Sequence, residues 1–199
     1  MTRTVTTPPL FTADRWQADE LHEADVPALQ RFFEANPLYF RSVNGQDAQP
    51  GEARAEFDDQ PPPGMPYARK WVLKVVDETG AYAAMAFLLA DFLAPRVWHI
   101  GLYIVETALH GSGAARTIYQ ALEDWIARAG GEYIRLGAVV GYPNAERFWT
   151  GRGYREVRRR LDVPSGLRRN DLHVYVKPLA GGLLTDYLAR VARDNPDAP

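Results

Sequence analysis

The chain has 199 residues, 46% of them apolar and 24% charged, with a formal net charge of −2 and no cysteine. At roughly 150 residues per domain this is one domain able to bury a full core, and without cysteine there is no disulfide, no thiolate-ligated metal or iron–sulfur site and no thiol nucleophile. The near-neutral charge removes the broad basic field that recruits nucleic acid or a membrane surface. The longest strongly apolar stretch, residues 81–90, is too short to cross a bilayer, and residues 1–10 lack the apolar centre of a secretion signal. The sequence therefore predicts a cytoplasmic protein with no nucleic-acid or membrane partner.

Residues 1–14, polar at the start and containing Pro8-Pro9, predict a loose N-terminal arm. Val26, Leu29, Phe32 and Phe33 recur at helical spacing, with Asp25 as the cap, Pro27 in the first turn and Asn36-Pro37 as the stop. A second short helix is predicted from Gly51 to Phe57, and the four prolines between Asp58 and Pro66 predict a linker loop. Trp71–Val76, Tyr82–Phe92 and Val97–Val105 read as three strands joined by short turns, hence antiparallel neighbours. Gly111-Ser112-Gly113 then breaks the chain ahead of a helix carrying Ile118, Leu122, Trp125 and Ala129 on one stripe, with Gly130-Gly131 as its stop.

Tyr133–Val140 reads as a buried strand, Asn144 as the cap of a short helix ending near Gly151, and Tyr154–Val163 with Leu172–Val176 as a closing strand pair. Residues 182–192 place Leu183, Leu184, Tyr187, Leu188 and Val191 on one helical face. A strand, a glycine turn, a helix and a strand make a βαβ unit inside an otherwise antiparallel sheet, so the expected class is mixed α+β.

The run from His110 to Arg116 has chemical meaning beyond a turn. Glycine and alanine keep side chains away from the backbone, and free N–H groups at a helix start favour an anion. A tight turn with no ligand is the plainer reading of the same residues. No Gly-Lys-Ser/Thr follows, which excludes a Walker loop, and Arg116 excludes the dinucleotide fingerprint.

The run resembles the acyl-CoA loop of the GCN5-related N-acetyltransferases: Gln or Arg, two residues, Gly, one residue, then Gly or Ala. Here it reads His110, Gly111, Ser112, Gly113, Ala114, Ala115, with His110 at the Gln/Arg position. A second stretch, Asn144-Ala145-Glu146-Arg147-Phe148-Trp149 followed by Gly153-Tyr154, is similar to the family's later motif. Between the two lie one helix and one strand, as in the family, and the resemblance covers about residues 20–178.

What the resemblance implies is a mostly antiparallel sheet of six to seven strands with helices on both faces, splayed at an acyl-CoA site. The domain spans 15–178, and a C-terminal helix and tail follow at 179–199. Acetyl-CoA, as cosubstrate, would lie between the strands Val97–Val105 and Tyr133–Val140. Main-chain groups of Tyr103, Ile104 and Val105 would hold pantetheine, as would Asn144, beside Phe148 and Trp149. The N–H groups from Gly111 through Ser112, Gly113, Ala114 and Ala115 to Arg116 would hold the pyrophosphate. The implied activity is transfer of acetyl to a primary amine of a small molecule or protein by direct attack; the alternative is a module of the same fold that binds acyl-CoA without turnover.

Transfer to an amine needs a neutral nitrogen, a stabilised oxyanion and a protonated thiolate. Trp149 stands where many family members have an acidic tyrosine, so Tyr142 or Tyr103, or solvent, is left to supply the proton. Counting back to the family's base position gives His99. Period two along its strand places His99, Gly101, Tyr103 and Val105 on one face, and an imidazole titrating near ~6.5 suits a base. The plainer reading is a histidine packed at a strand edge. Glu106 is the second candidate base, or a solvated carboxylate.

Asn36-Pro37-Leu38-Tyr39-Phe40-Arg41 reads as an aromatic-rich loop, which the resemblance places, with Tyr39, Phe40 and Arg41, in the family's acceptor region; the plainer reading is a hydrophobic staple closing the helix pair. The acidic group Glu52, Glu56, Asp58, Asp59 could draw in a cationic amine, or simply face water. Of the arginines at 152, 155, 158–160, 168 and 169, one could meet the 3′-phosphate of CoA. His22 and His173 have no partner at metal-ligand spacing, so no metal is expected. The stripe at 182–192 packs on the chain's own sheet, on a second copy in a homodimer, or on both.

Overall fold

In the computed structural model, which describes residues 8–179 and 181–196, eight strands form one sheet. In chain order the elements are β1 (Phe11–Ala13), β2 (Trp16–Glu20), α1 (Val26–Ala35), α2 (Pro37–Val43), α3 (Glu52–Asp58), β3 (Arg69–Val76), β4 (Tyr82–Ala90), β5 (Val97–Val105), α4 (Ala114–Arg128), β6 (Tyr133–Val139), α5 (Pro143–Gly151), β7 (Arg155–Ser165), β8 (Arg168–Pro178) and α6 (Leu184–Arg190). The sheet order is β1-β2-β3-β4-β5-β6-β8-β7, and every neighbour pair is antiparallel except β5 with β6.

Four expectations change here. The sheet has eight strands rather than six to seven, because β1 and β2 extend its first edge. Phe11 and Ala13 are buried against α4, so residues 11–13 of the expected arm belong to the domain, while residues 1–7 lie outside the described residues. The stretch 37–43 is a helix rather than a loop, with Pro37 in its first turn, where the missing N–H costs nothing. Asp25 stands at the N-cap position of α1 as read, but its side chain makes no capping bond to the helix. It accepts a hydrogen bond from the His22 main-chain N–H at 2.9 Å and one from Lys74 Nζ at 2.7 Å instead.

The apolar residues sort onto two faces. On one, Ile118, Leu122 and Ile126 of α4 and Trp149 of α5 pack with Leu73, Ala84, Ala86, Leu88, Trp98 and Ile100. On the other, Leu29, Phe32 and Phe33 of α1, Phe40 of α2 and Ala53 of α3 pack with Val72, Met85, Phe87, Leu89, Leu102 and Ile104. A third group joins Val97, Tyr133 and Val176 to Tyr187 and Val191, so α6 docks on the chain's own sheet. This is the docking that the stripe at 182–192 required, although Leu183 stays 60% exposed.

Two departures from regularity shape the site. The β5–β6 ladder runs for only four residue pairs, Val97↔Tyr133 to Ile100↔Leu136, and beyond Ile100 and Leu136 the strands part. In the β4–β5 ladder Phe87 opposes Leu102 and Leu88 opposes Ile100, which leaves Gly101 as an unopposed bulge residue. A Cβ at Gly101 would come within 2.6 Å of the Phe87 ring, so only glycine fits there without displacing that ring.

Candidate functional site

Where β5 and β6 separate, a cavity of about 670 Å³ opens between them. Its walls are the ends of both strands, the α1–α2 junction, the loop before α4, the start of α5 and the β7–β8 hairpin. Past Ile100 the β6-facing edge of β5 has no strand partner, so main-chain donors and acceptors there are open to a ligand.

The bulge decides which side chains share this space. Trp98 and Ile100 face α4, Leu102 and Ile104 face α1 and α2, and Tyr103 and Val105 face α4 again. His99, one residue before Ile100, stacks on Phe92 with ring centroids 4.7 Å apart, on the α1–α2 side. The extra residue inverts the alternation, so His99 does not share a face with Tyr103 and Val105, contrary to the strict period-two reading. Both His99 and Tyr103 still line the cavity, from opposite sides.

His99 is held firmly and uncharged. Its Nδ1 lies 3.1 Å from the Arg135 carbonyl oxygen, to which an Nδ1–H donates, leaving Nε2 as a bare acceptor. Burial, and then the Arg135 guanidinium with an Nη1 3.4 Å from Nδ1, lower its pKa to about 3. A group that weak does not remove a proton from an ammonium ion. Arg135 is itself 5% exposed and forks onto Asp194, 1% exposed, through Nε–Oδ2 at 2.6 Å and Nη2–Oδ1 at 3.0 Å. Tyr187 Oη donates to the same carboxylate at 2.5 Å. Burial alone would raise the Asp194 pKa, but Arg135 and Tyr187 bring it below the ordinary aspartate value.

On the opposite side the loop before α4 has an anion-binding form. Gly111 and Gly113 take φ of +80° and +92°, and an added Cβ on either would meet nothing within 4 Å, so the backbone is open to an approaching group. Among the described residues no acceptor meets the N–H groups of Gly111, Gly113 and Ala115. Ser112 Oγ takes the Ala114 N–H at 3.2 Å, and Arg116 N–H bonds to the Gly113 carbonyl. His110, Gly111 and Ala115 line the cavity, whereas Ser112, Gly113, Ala114 and Arg116 continue the loop beyond it. The His110 ring folds back, Nε2 3.1 Å from the Val105 carbonyl oxygen, and so braces the end of β5. Three free N–H groups beside a cleft of this size fit a pyrophosphate and its pantetheine arm.

Tyr103, Ile104 and Val105 form the β5 wall, and Asn144, Phe148 and Trp149 the α5 wall. Asn144 does not cap α5; Tyr142 occupies that position, and Asn144 Oδ1 accepts from Arg147 Nη2 at 2.7 Å. Trp149 packs among Tyr103, Tyr119 and Tyr154. The Tyr103 hydroxyl donates to the Ala115 carbonyl at 2.9 Å, and burial pushes its pKa up, so it stays protonated. Tyr142 lines the cavity, and among the described residues its hydroxyl has no hydrogen-bond partner.

Of the three expected acceptor residues, only Tyr39 reaches the cavity. Phe40 is buried against Phe33, ring centroids 4.9 Å apart, and staples α1 to α2. Arg41 points outward and pairs with Asp47 at 2.5 Å. Glu106 is not in the wall, nor are Glu52, Glu56, Asp58 and Asp59, whose neighbours include Arg54 and Lys70. Asn36, read as a helix stop, is a buried latch: Oδ1 takes the Thr107 N–H at 2.6 Å and its hydroxyl at 3.0 Å, tying the α1–α2 junction to the end of β5.

A model of the acetyltransferase (GNAT) family matches residues 29–154, more than half of the sequence. The chain belongs to the acetyltransferase (GNAT) family. Solved GNAT structures share its fold. A GCN5-related N-acetyltransferase from Kribbella flavida is 22% identical with a TM-score of 0.61, over 84% of this chain and all of that one. The ribosomal-protein-S18-alanine N-acetyltransferase of Escherichia coli is 15% identical with a TM-score of 0.63, over 84% and 96% of the two chains. A spermidine N-acetyltransferase from Vibrio cholerae, solved with CoA and spermine, is 16% identical with a TM-score of 0.61, over 83% and 96%. No curated protein matches the chain. The glycine loop and the α5 segment up to Gly153 lie inside the matched region, whereas α6 and Asp194 lie outside it. Among the described residues no helix is long and apolar enough to cross a membrane, and no three His, Asp or Glu side chains gather as a metal site would need.

Proposed function

We propose that this GNAT protein transfers acetyl from acetyl-CoA to a primary amine by direct attack in the cavity between β5 and β6. The observation that carries the reading is the pairing of that cleft with the open N–H groups of Gly111, Gly113 and Ala115 at the head of α4. The pyrophosphate of acetyl-CoA sits on those N–H groups, with pantetheine along Tyr103–Val105 and beside Asn144. The open main chain after Ile100 supplies donors for the thioester oxygen as it gains charge.

The acceptor enters from the Tyr39 and His99 side. An alkylammonium loses one proton to water before attack, because neither His99 nor Glu106 is placed and poised to take it. His99 Nε2 accepts a hydrogen bond from the neutral amine and orients its lone pair. The nitrogen bonds to the carbonyl carbon, the carbon–sulfur bond breaks, and a second proton of the amine passes to water as the amide forms, so that solvent can return one to Tyr142. Tyr142 donates to the departing thiolate and is reprotonated in turn.

Two measurements test this together. Acetyl-CoA is mixed with a panel of amines and free thiol is followed, while acetyl-CoA binding is measured by calorimetry. Saturable thiol release with acetylated product is expected. Tight binding with no thiol release for any amine would leave only a binding module. Tyr142→Phe is expected to lower kcat about tenfold or more, in line with general-acid contributions, with little change in acetyl-CoA affinity.

A further inference from the structure

The charged side chains in the wall of the cavity are one-sided, with Glu52 and Glu56 acting on Tyr39 from outside that wall. Arg135 and Arg160 line the cavity, and no aspartate or glutamate does. The two arginines are not equivalent. Arg135 is matched by the Asp194 fork. The guanidinium of Arg160, partly buried at the β7 edge of the cavity, makes no hydrogen bond or ion pair among the described residues. Its surroundings are cationic. Burial, and then the guanidinium groups of Arg193 and Arg135, with Arg158 also near, push its pKa down, and Asp194, already engaged, is the carboxylate acting the other way.

Nearby arginines on the same hairpin do find partners. Arg159 pairs with Glu156 at 2.9 Å, Arg169 with Asp162 at 2.5 Å, and Arg158 donates to the Arg193 carbonyl. Holding several guanidinium groups together around one shared carboxylate is unfavourable unless an anion joins them. A guanidinium presents a planar fork suited to a carboxylate or a phosphorus oxyacid.

We propose that the acceptor is a small amine carrying an anionic oxyacid group, carboxylate or phosphonate, which Arg160 binds while the amine faces His99 Nε2. This rests on the acetyl-transfer reading above and names the substrate class of the same site. The transfer is the one already balanced there; the oxyacid group takes no part in bond making. A polyamine is disfavoured on the same ground, since its further ammonium groups would meet guanidinium and no carboxylate. The site lies on the α1–α2 side, across the cavity from the glycine loop, so it is distinct from the seat of the pyrophosphate.

The experiment uses matched amines with and without the anion: phenylalanine with phenethylamine, methionine with 3-(methylthio)propylamine, a 1-aminoalkylphosphonate with the corresponding alkylamine, and spermidine as the cationic extreme. Binding to the protein with CoA present is measured by calorimetry, and thiol release from acetyl-CoA is measured separately. In at least one pair the anionic member is expected to bind at least tenfold tighter and to show at least tenfold higher kcat/KM. Arg160→Gln should reduce it to the level of its partner, Arg160→Lys should retain part of the preference, and neither should change the KM for acetyl-CoA. Because Arg160 is surrounded by like charge, Arg160→Gln should melt at or above the parent temperature.

Carboxylate and phosphonate arms separate the two oxyacids. Anion-dependent binding lost in Arg160→Gln supports the proposal even without thiol release, in which case only the transfer reading fails. No preference for the anionic members, equal losses for both members in Arg160→Gln, preferred turnover of spermidine, or no binding by any member of the panel would overturn it.

Discussion

At His99 an imidazole is fixed between the Phe92 ring and the Arg135 main chain, and this changes both stability and rate as functions of pH. Burial and Arg135, with a smaller contribution of the same sign from Arg160 and an opposing one from Asp194, lower its pKa to about 3. In the unfolded chain the ring takes a proton near ~6.5. Between these values the unfolded state binds more protons, so stability falls as pH drops from about 6.5 towards 3. Thermal melts of the parent should show that decline, and His99→Gln should show a shallower one; parallel pH curves would contradict the assignment. The rate should show no acid limb near 6.5 from this residue and should instead follow deprotonation of the acceptor amine. A second residue-scale test is Gly113. At φ +92° a side chain costs about 1–2 kcal/mol, and with nothing within 4 Å of an added Cβ a valine would project into open space beside the cleft. Gly113→Val should therefore lose most CoA affinity, whereas Gly113→Ala should share the stability loss and keep more of the binding. A folded Gly113→Val protein with parent CoA affinity would remove the loop from the site.

At the scale of elements, α6 and the turn after it form a brace. Tyr187 and Val191 are buried against Val97, Tyr133 and Val176, and Asp194 reaches on to Arg135. Asp194→Asn leaves a buried guanidinium without its counter-charge, a loss of about 3–5 kcal/mol. Truncation after Ala180 removes the same carboxylate and the apolar docking as well. Both variants should melt well below the parent, and the acceptor KM of a surviving Asp194→Asn protein should rise more than that for acetyl-CoA. Parent melting of the truncated chain would show that the brace contributes nothing.

Regular repeats made most elements legible in the sequence: β5 is found at Val97–Val105 as read, and α4 follows the glycine turn as its stripe requires. Where the pattern is short or mixed it failed. β1 and β2 have three and five residues, too few for period two to register, and Pro37 disguised α2 as a loop. The glycine loop was legible because its chemistry is local. The Arg135–Asp194 fork joins residues 59 apart and left no local sign. The bulge did leave one, since a glycine inside a strand marks an irregularity or a close approach, and weighing Gly101 that way would have placed His99 on the other face.

For the whole molecule, the sheet is one surface made of two groups of strands that meet along four residue pairs. A ligand seated where the groups part touches both and binds only the folded form. Acetyl-CoA at a hundred times its Kd should therefore add about 2.7 kcal/mol to stability, seen as a higher Tm that rises further with concentration. An unshifted Tm at saturating acetyl-CoA would argue against the cleft as its seat. The packing of Tyr187 and Val191 within the chain also removes the stripe as an argument for a homodimer.

The reach of Asp194 across to Arg135 bears on how the protein is made. Synthesis proceeds from the N-terminus, and domains begin to fold as they emerge. β5, the glycine loop, α4, β6 and α5 are all translated before Asp194. A growing chain thus has the parts of its coenzyme cleft while Arg135 still awaits its counter-ion. A message cut short after β8 would yield a product with that guanidinium stranded in the interior, prone to open and to be degraded. The buried pair therefore makes the persistence of these earlier parts depend on a carboxylate that is translated after all of them.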